Sequence, residues 1–244
     1  MINIQPIEKR VDHDGSVLDV HSIFYTIQGE GPFSGYPAVF IRLAGCNLQC
    51  QGCDTQYTEG RKQMTVEEIA TAVWRALDPD NNRHLPIVVI TGGEPFRQNL
   101  TPLCENLILG KSCFPLKVQI ETNGTLAPSE GLPKKIVVVC SPKTPKLNKV
   151  IEQRIDFFKY VLSHDQVDKH DGLPHHVLDT HPAGGRVARP PSSYKRQIYL
   201  QPMDPGQNEQ HDANYVLNVK AVVKSCMTFG HVVQLQTHKL LGVL

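Results

Sequence analysis

Residues 38–55 read Ala-Val-Phe-Ile-Arg-Leu-Ala-Gly-Cys-Asn-Leu-Gln-Cys-Gln-Gly-Cys-Asp-Thr. The first seven are apolar apart from Arg42 and predict a buried strand over 38–44. Because an isolated buried charge is costly, Arg42 must be paired or must face a ligand. Directly beyond the strand, Cys46, Cys50 and Cys53 follow at a C-x3-C-x2-C spacing. Since α/β folds place active sites at the carboxyl ends of their strands, the stretch predicts a metal-type loop at a functional edge.

Three clustered thiolates are one ligand short of a closed tetrahedral zinc site or a fully ligated [4Fe–4S] cluster. A structural zinc ion would need a distant fourth ligand, and the sequence offers no second C-x2-C pair. A redox dithiol of Cys50 and Cys53 would leave Cys46 unexplained. A cubane held through three irons, with the fourth exchangeable, fits the spacing best. The other four cysteines, Cys104, Cys113, Cys140 and Cys226, are isolated and read as buried thiols.

The composition favours a single globular domain over the 244 residues, with 40% apolar and 20% charged residues. A formal net charge of +1 argues against a broad phosphate-binding face, so no direct contact with nucleic acid is expected. The chain shows no secretory signal pattern and no apolar run of about 18 residues, so no membrane span is expected. An odd number of cysteines, clustered as a metal-type motif, indicates a reducing cytoplasm.

Strand and helix patterns alternate along the chain, which indicates parallel βαβ units and an α/β fold. The predicted strands cover 38–44, 86–90, 117–124, 135–140, 156–162, 196–200 and 231–238. Helices are predicted from the capping box Thr65–Glu68, over 99–111, and over about 20 residues from near Gln207 to Gly230. Residues 163–195 lack any apolar periodicity and are predicted to be an irregular insertion, although five histidines lie within them.

Two motifs together resemble the radical S-adenosyl-L-methionine (SAM) superfamily: the cysteine loop after a strand, and Thr91-Gly-Gly-Glu-Pro95 after the next strand. The resemblance implies a [4Fe–4S] cluster whose open iron is chelated by SAM. It also implies a partial, modified (β/α) barrel, shortened where the 163–195 insertion replaces a helical crossover.

More narrowly, the chain resembles the radical SAM family whose members convert 6-carboxy-5,6,7,8-tetrahydropterin into 7-carboxy-7-deazaguanine with loss of ammonia. This carbon–nitrogen lyase reaction belongs to queuosine-precursor biosynthesis. The stretches that carry the resemblance are 25–31, 40–46, 53–55, 91–95, 119–124, 141–143, 201–204 and 236–239.

The resemblance also assigns roles to individual residues. The cluster ligands are Cys46, Cys50 and Cys53, and a Mg²⁺ ligand is Thr55. The residues implied for SAM are Gly93, with Gly92 and Glu94 beside it, and Ser141, Pro142, Lys143 and Gln201. The residues implied for the pterin are Ile27, Gln28, Gly29, Glu30, Arg42 and Thr91. No general acid or base is implied, although Glu121 and His238 are candidates. One departure is Gly52, because the superfamily often has an aromatic residue there that packs on adenine.

The implied partners are the small-molecule pterin, a flavodoxin- or ferredoxin-like electron donor, and a second copy of the chain in a homodimer. Two alternatives stay open at the level of sequence. One is a glycyl-radical-enzyme activase, which shares the cysteine spacing but acts on a protein. The other is a non-catalytic zinc or iron–sulfur binding module.

Overall fold

The computed structural model describes residues 3–77, 87–109, 116–178, 185–204 and 213–243. The strands are β1 Val17–Ile27, β2 Pro37–Leu43, β3 Lys62–Thr65, β4 Ile87–Gly92, β5 Val118–Thr122, β6 Val137–Cys140, β7 Phe157–Leu162, β8 Ile198–Pro202 and β9 Val232–Val233. The α-helices are α1 Val66–Leu77, α2 Thr101–Leu109, α3 Lys149–Glu152, α4 Ala213–Phe229 and α5 Thr237–Leu241. None of the described helices is both long and apolar enough to cross a membrane.

The described strands form one sheet in the order β3-β1-β2-β4-β5-β6-β7-β8-β9. From β2 to β9 every neighbouring pair is parallel, whereas β1 pairs antiparallel with both β2 and β3. Since β3 and β9 stand at opposite edges, the sheet is open. This confirms the predicted α/β fold with an incomplete barrel.

Side chains alternate along the parallel strands and separate the core from the site. Residues such as Ile41, Ile90, Ile120 and Tyr160 point to the helix-covered face and join one buried apolar cluster. On that face α1 packs on β1 and β2, and α4 packs on β7 and β8. The intervening positions face the concave side, because successive strand residues point to opposite faces. They carry the polar and charged side chains of the site together with a small apolar cluster of Ala38, Ile87 and Val89.

Two sequence expectations need correction, and one strand was not expected. The cysteine loop follows the second strand rather than the first, because β1 precedes it as an antiparallel neighbour. The strand expected over 231–238 is only Val232–Val233, and Thr237–Leu241 is helical. The chain leaves the sheet there because the Gln234 side chain accepts a hydrogen bond from the Gly31 amide at 2.6 Å. The antiparallel β3 was not predicted.

The observed bounds of helices α2 and α4 agree better with the predictions from sequence. Helix α2 covers Thr101–Leu109 of the predicted 99–111, and residues 110–111 lie outside the described part. Helix α4 ends before Gly230, whose φ of +77° is the left-handed conformation of a helix C-cap. Its predicted beginning near Gln207 falls outside the described residues. In the insertion, residues 163–178 and 185–195 contain turns and isolated bridge residues, among them the antiparallel bridge between Val167 and Pro174.

The capping box gives a prediction for stability. The Glu68 amide donates to Thr65 Oγ1 at 3.2 Å, and the Thr65 amide donates to Glu68 Oε2 at 2.8 Å. We expect Thr65→Ala to lower the free energy of unfolding by about 1 kcal/mol in denaturant titrations. The control is Thr71→Ala, the same change at an exposed interior position of α1, where alanine should be neutral or slightly stabilising. Equal effects of the two substitutions would contradict the capping role.

Candidate active site

A cavity of about 450 Å³ lies on the concave side of the sheet, at the carboxyl ends of the parallel strands. Most of the predicted site residues line it: Ile27, Gln28, Glu30, Arg42, Cys53, Thr55, Thr91, Gly93, Ser141, Lys143 and Gln201. Four others are buried outside the cavity wall: Gly29, Cys46, Cys50 and Pro142. The structure therefore gathers residues from opposite ends of the chain around one space.

The cysteine loop presents three free thiols, of which Cys46 and Cys50 are buried and Cys53 is partly exposed. Burial raises the pKa of Cys46 to about 12, and negative charge on Cys50 or Cys53 would raise it further. Burial also raises the pKa of Cys53. Burial therefore disfavours the thiolate forms in the absence of a positively charged centre, and soft thiolate donors suit iron–sulfur clusters. The donor set therefore fits an iron–sulfur cluster.

The Thr91–Pro95 motif packs directly against this loop. The Glu94 amide donates to the carbonyl of Gly45 at 3.0 Å. A Cβ atom on Gly93 would overlap the Gly45 carbonyl and the Cβ of Cys46. A glycine is required here because two backbone segments approach too closely for a side chain. The motif thus fixes the start of the cysteine loop.

Glu94 has a structural part in the site. Its carboxylate accepts hydrogen bonds from the Phe96 amide (3.1 Å), the Thr122 hydroxyl (2.7 Å) and the Asn123 amide (2.7 Å). Burial raises the pKa of Glu94 to about 7, against the opposing effect of these donors. The side chain ties the end of β4 to the end of β5 and does not line the cavity. Because its oxygens are engaged by the protein, the structure does not direct Glu94 towards a SAM amino group.

Arg42 faces the cavity from β2 beside two stacked aromatic rings. The rings of Phe24 and Phe40 are 5.4 Å apart, and the guanidinium carbon lies 5.5 Å from the centroid of Phe24. Its Nε is buried without a hydrogen-bond partner in the described structure. Burial lowers the pKa of Arg42, and Asp54, Cys53 and Glu121 oppose that effect. A half-buried guanidinium on a cavity wall, with a buried Nε that has no partner among the described residues, suits an anionic ligand.

The opposite wall carries Lys159, which the sequence analysis did not single out. Its ammonium forms an ion pair with Glu30 and lies 3.5 Å from Glu121. Gln28 donates to Glu121 at 2.9 Å, and Gln236 donates to Glu30 at 2.7 Å. The signal was present in the sequence, since Lys159 is the one charge inside an apolar strand, as Arg42 is on β2. Lys159, Gln28 and Gln236 together hold the carboxylates of Glu30 and Glu121 on the cavity wall.

The C-terminal region closes the cavity near Thr55. The His238 ring occupies the space that a Cβ on Gly29 would need, and burial lowers the pKa of His238. Lys239 contacts Asp54 at 3.3 Å and Asp204 at 2.8 Å. The hydroxyl of Thr55 donates to Asp54 at 3.3 Å. Hydroxyl and carboxylate oxygens are hard ligands, so Thr55 and Asp54 fit a Mg²⁺ ion completed by water or substrate oxygens.

The insertion also reaches the site, through Leu178. The Gly52 amide donates to the Leu178 carbonyl at 2.9 Å, and Leu178 lines the cavity. Its φ of +51° is unusual for a residue with a branched side chain. A Cβ on Gly52 would lie 3.3 Å from the Leu178 backbone, so the insertion occupies the space beside Gly52.

An open α/β sheet with three free thiols on a loop beyond one of its strands is the arrangement of a radical SAM protein. A family model described as a 4Fe-4S single cluster domain matches residues 27–129. The crystal structure of QueE from Escherichia coli superposes with a TM-score of 0.63 at 22% identity, covering 90% of this chain and 93% of that chain, a likeness that bears on the fold.

Two curated relatives settle the family. A 7-carboxy-7-deazaguanine synthase from Rhodospirillum rubrum is 38% identical, with 94% of each chain covered. Another, from Rickettsia prowazekii, is 39% identical over 100% of this chain and 96% of the relative. The chain belongs to the 7-carboxy-7-deazaguanine synthase family.

Proposed function

We propose that this protein converts 6-carboxy-5,6,7,8-tetrahydropterin into 7-carboxy-7-deazaguanine, as a radical SAM enzyme with a [4Fe–4S] cluster. The observation that carries the proposal is Arg42, whose buried Nε has no hydrogen-bond partner in the described structure, on the wall of the cavity that Cys53 also lines. A planar guanidinium group beside the cysteine loop can bind a carboxylate through two parallel hydrogen bonds, which suits a carboxylated substrate. Neither the glycyl-radical-enzyme activase nor the zinc module is represented among the relatives above.

On the cofactor side, Cys46, Cys50 and Cys53 would hold the cluster and leave one iron for SAM. Bound together, the reduced cluster and SAM supply the organic radical that starts the reaction. Gly93, Ser141, Pro142, Lys143 and Gln201 would hold SAM. The Lys143 ammonium donates to the Ser141 carbonyl at 3.1 Å, which fixes a positive charge near the thiols. The protein's part is to orient the reactants and exclude water.

On the substrate side, Arg42 would bind the carboxylate, and Ile27, Gln28, Gly29 and Thr91 would contact the ring. Glu30 would accept hydrogen bonds from the guanidine-like edge of the pterin, which has several N–H donors. Lys159 keeps this carboxylate ionised: burial would raise the pKa of Glu30, but the ammonium outweighs burial and holds the pKa at about 2. Thr55, with Asp54, would bind Mg²⁺ at the edge of the same cavity.

The remaining partners belong to the same proposal. The cluster needs a one-electron donor, for which we expect a flavodoxin- or ferredoxin-like protein, and the enzyme is expected to act as a homodimer. The six described cysteines are free thiols, which suits the reducing cytoplasm where we place the protein. No contact with nucleic acid or membrane is part of the proposed reaction.

The proposal is tested by an anaerobic assay with reductant, SAM, Mg²⁺ and 6-carboxytetrahydropterin, with the products identified by mass spectrometry. We expect 7-carboxy-7-deazaguanine, with activity that falls when Mg²⁺ is chelated. Formation of 5′-deoxyadenosine without the deazaguanine would retain the radical SAM class and reject this substrate.

Arg42 gives a sharper prediction. We expect Arg42→Ala to raise KM for the pterin by about 10- to 100-fold, because a charge-assisted hydrogen bond is worth about 1.5–3 kcal/mol. The cluster's absorption spectrum should stay unchanged. Arg42→Lys is the matched control, since it keeps the charge but loses the planar fork, and should give a smaller rise. Loss of the cluster spectrum in Arg42→Ala would contradict a role confined to substrate.

A further inference from the structure

An N-terminal strap, residues 3–11, lies along the outside of the cysteine loop. The Glu8 amide donates to the Cys46 carbonyl at 2.7 Å, and Ile7 forms a parallel bridge with Cys46. The Asn3 amide donates to the Gln51 carbonyl at 3.0 Å. These residues precede every stretch that the resemblance covers, so neither the family motifs nor the proposed reaction explains them.

Two side chains of the strap extend these contacts. Asn3 Nδ2 donates to the Cys50 carbonyl at 3.0 Å. Gln5 Nε2 donates to the Thr55 carbonyl at 2.9 Å, and Gln5 Oε1 accepts from the Tyr57 amide at 2.8 Å. One carboxamide thus satisfies both a donor and an acceptor of the loop. Residues 46–58 form no helix or strand of the sheet, so their backbone groups depend on partners of this kind.

Arg97, two residues beyond the Thr91–Pro95 motif, anchors the strap. Arg97 is 2% exposed and donates from Nε to the carbonyls of Glu8 and Lys9, both at 3.0 Å. Its second terminal nitrogen pairs with the Glu8 carboxylate at 2.8 Å, and the first donates to the Ala44 carbonyl at 3.0 Å. Arg61 also pairs with Glu8. The strap therefore has a fixed position from which Asn3 and Gln5 can hold the loop.

We propose that Asn3 and Gln5 are positioning residues of the iron–sulfur centre, which act by drawing the carbonyls of Cys50, Gln51 and Thr55 outward. With these carbonyls satisfied from outside, the loop keeps Cys50 and Cys53 facing inward. The same hold fixes Thr55, the Mg²⁺ candidate. Outer partners of metal ligands orient those ligands and tune the centre, and hydrogen bonding around a cluster sets its properties. This inference rests on the proposed function, because it requires the three cysteines to bind a cluster.

The test uses the full chain with Gln5→Ala and, as a second variant, Asn3→Ala. The second variant keeps the partners of Gln5 in the loop, Thr55 and Tyr57, but removes Asn3 Oδ1, which accepts from the Gln5 amide at 3.0 Å and from Gln5 Nε2 at 3.2 Å. In the metal-free protein, we expect hydrogen exchange at the Tyr57 amide to rise about 5- to 30-fold in Gln5→Ala, the factor that one or two kcal/mol represent. In the reconstituted protein, both variants should lose the cluster faster in the presence of an iron chelator by a similar factor. Their reduced clusters should also show altered EPR spectra.

Two controls separate positioning from general stability. Gln56→Ala changes the same residue type in the same loop, where the side chain accepts only from the nearby Thr58 and Glu59 amides, so it should leave cluster loss unchanged. Thr65→Ala should lower stability without altering the EPR spectrum. Wild-type cluster loss and EPR spectra in both strap variants would overturn the inference. Failure of the wild-type chain to bind any cluster would overturn the proposed function instead. In that case hydrogen exchange at the Tyr57 amide would still measure the hydrogen bond between this amide and Gln5.

Discussion

Replacement of Lys159 by methionine is expected to lower the free energy of unfolding at pH 7 by about 3–5 kcal/mol and to abolish turnover. The ammonium is buried and pairs with Glu30 and Glu121. Without it, the carboxylates of Glu30 and Glu121 on the cavity wall lose the cation that they share. Removing one partner of a buried ion pair is costly because the other charge is left uncompensated.

The loss of stability in Lys159→Met should become smaller as the pH falls. In the wild-type protein the pKa of Glu30 is held at about 2, below its ordinary value of 4.5, so its ion pair contributes stability above pH 4.5. That contribution is lost as the pH falls from 4.5 towards 2. In Lys159→Met, burial without the ammonium raises the pKa of Glu30, so the carboxyl can be protonated at mildly acidic pH. The difference in stability between the two proteins should therefore shrink between pH 7 and pH 4.

Two further variants control this measurement by denaturant titration. Lys159→Met combined with Glu30→Gln removes both charges and should recover part of the lost stability. Lys62→Met changes an exposed lysine on the edge strand β3 and should alter stability by no more than about 0.5 kcal/mol. A stability difference that stays constant from pH 7 to pH 4 would contradict the account of Lys159.

Gly93→Ala is expected to have the second large effect, on assembly of the cluster. The added methyl would overlap the Gly45 carbonyl and the Cβ of Cys46, both backbone or near-backbone atoms that cannot rotate away. The end of β4 and the cysteine loop must then separate. We expect less than about a tenth of the wild-type iron content after anaerobic reconstitution, as a displacement costing over about 1.4 kcal/mol would produce.

The matched control for Gly93→Ala is Gly52→Ala, which adds the same methyl within the cysteine loop. Its Cβ would lie 3.3 Å from the Leu178 backbone, a contact that a shift of a few tenths of an ångström relieves. Iron content should stay close to wild type in this control. Equal iron contents in the two variants would show that the contact between Gly93 and the loop does not position the thiols.

The sheet could be predicted from sequence because its core strands are short apolar runs, and in β2 and β7 the run is interrupted by a single charged residue. A single charge inside an apolar strand must be paired or must face a ligand, and on this ground Arg42 was predicted to face a ligand. The same reasoning applies to Lys159, although it was not among the predicted site residues. Alternation places Lys159 on the concave side together with Glu121.

Other features depend on contacts that no local pattern reveals. The expected last strand stops after Val233 because Gln234 and Gln236 bind the loop around Glu30 and Gly31, about 200 residues earlier in the chain. The side chains of Asn3 and Gln5 meet the cysteine loop across separations of 47 and 50 residues. Asparagine and glutamine in an N-terminal stretch without periodicity give no signal of such pairing. Similarly, β3 is too short and too polar to be recognised as a strand.

The central claim is that three cysteines leave one iron of a cluster free for SAM, and EPR tests it most directly. Anaerobically reconstituted protein should contain about four irons and four sulfides per chain, as a cubane requires. After reduction, addition of SAM should change the EPR spectrum, because SAM takes the coordination position that no cysteine fills. A colourless protein with one zinc ion and no sulfide, or a reduced cluster whose spectrum does not respond to SAM, would contradict the account.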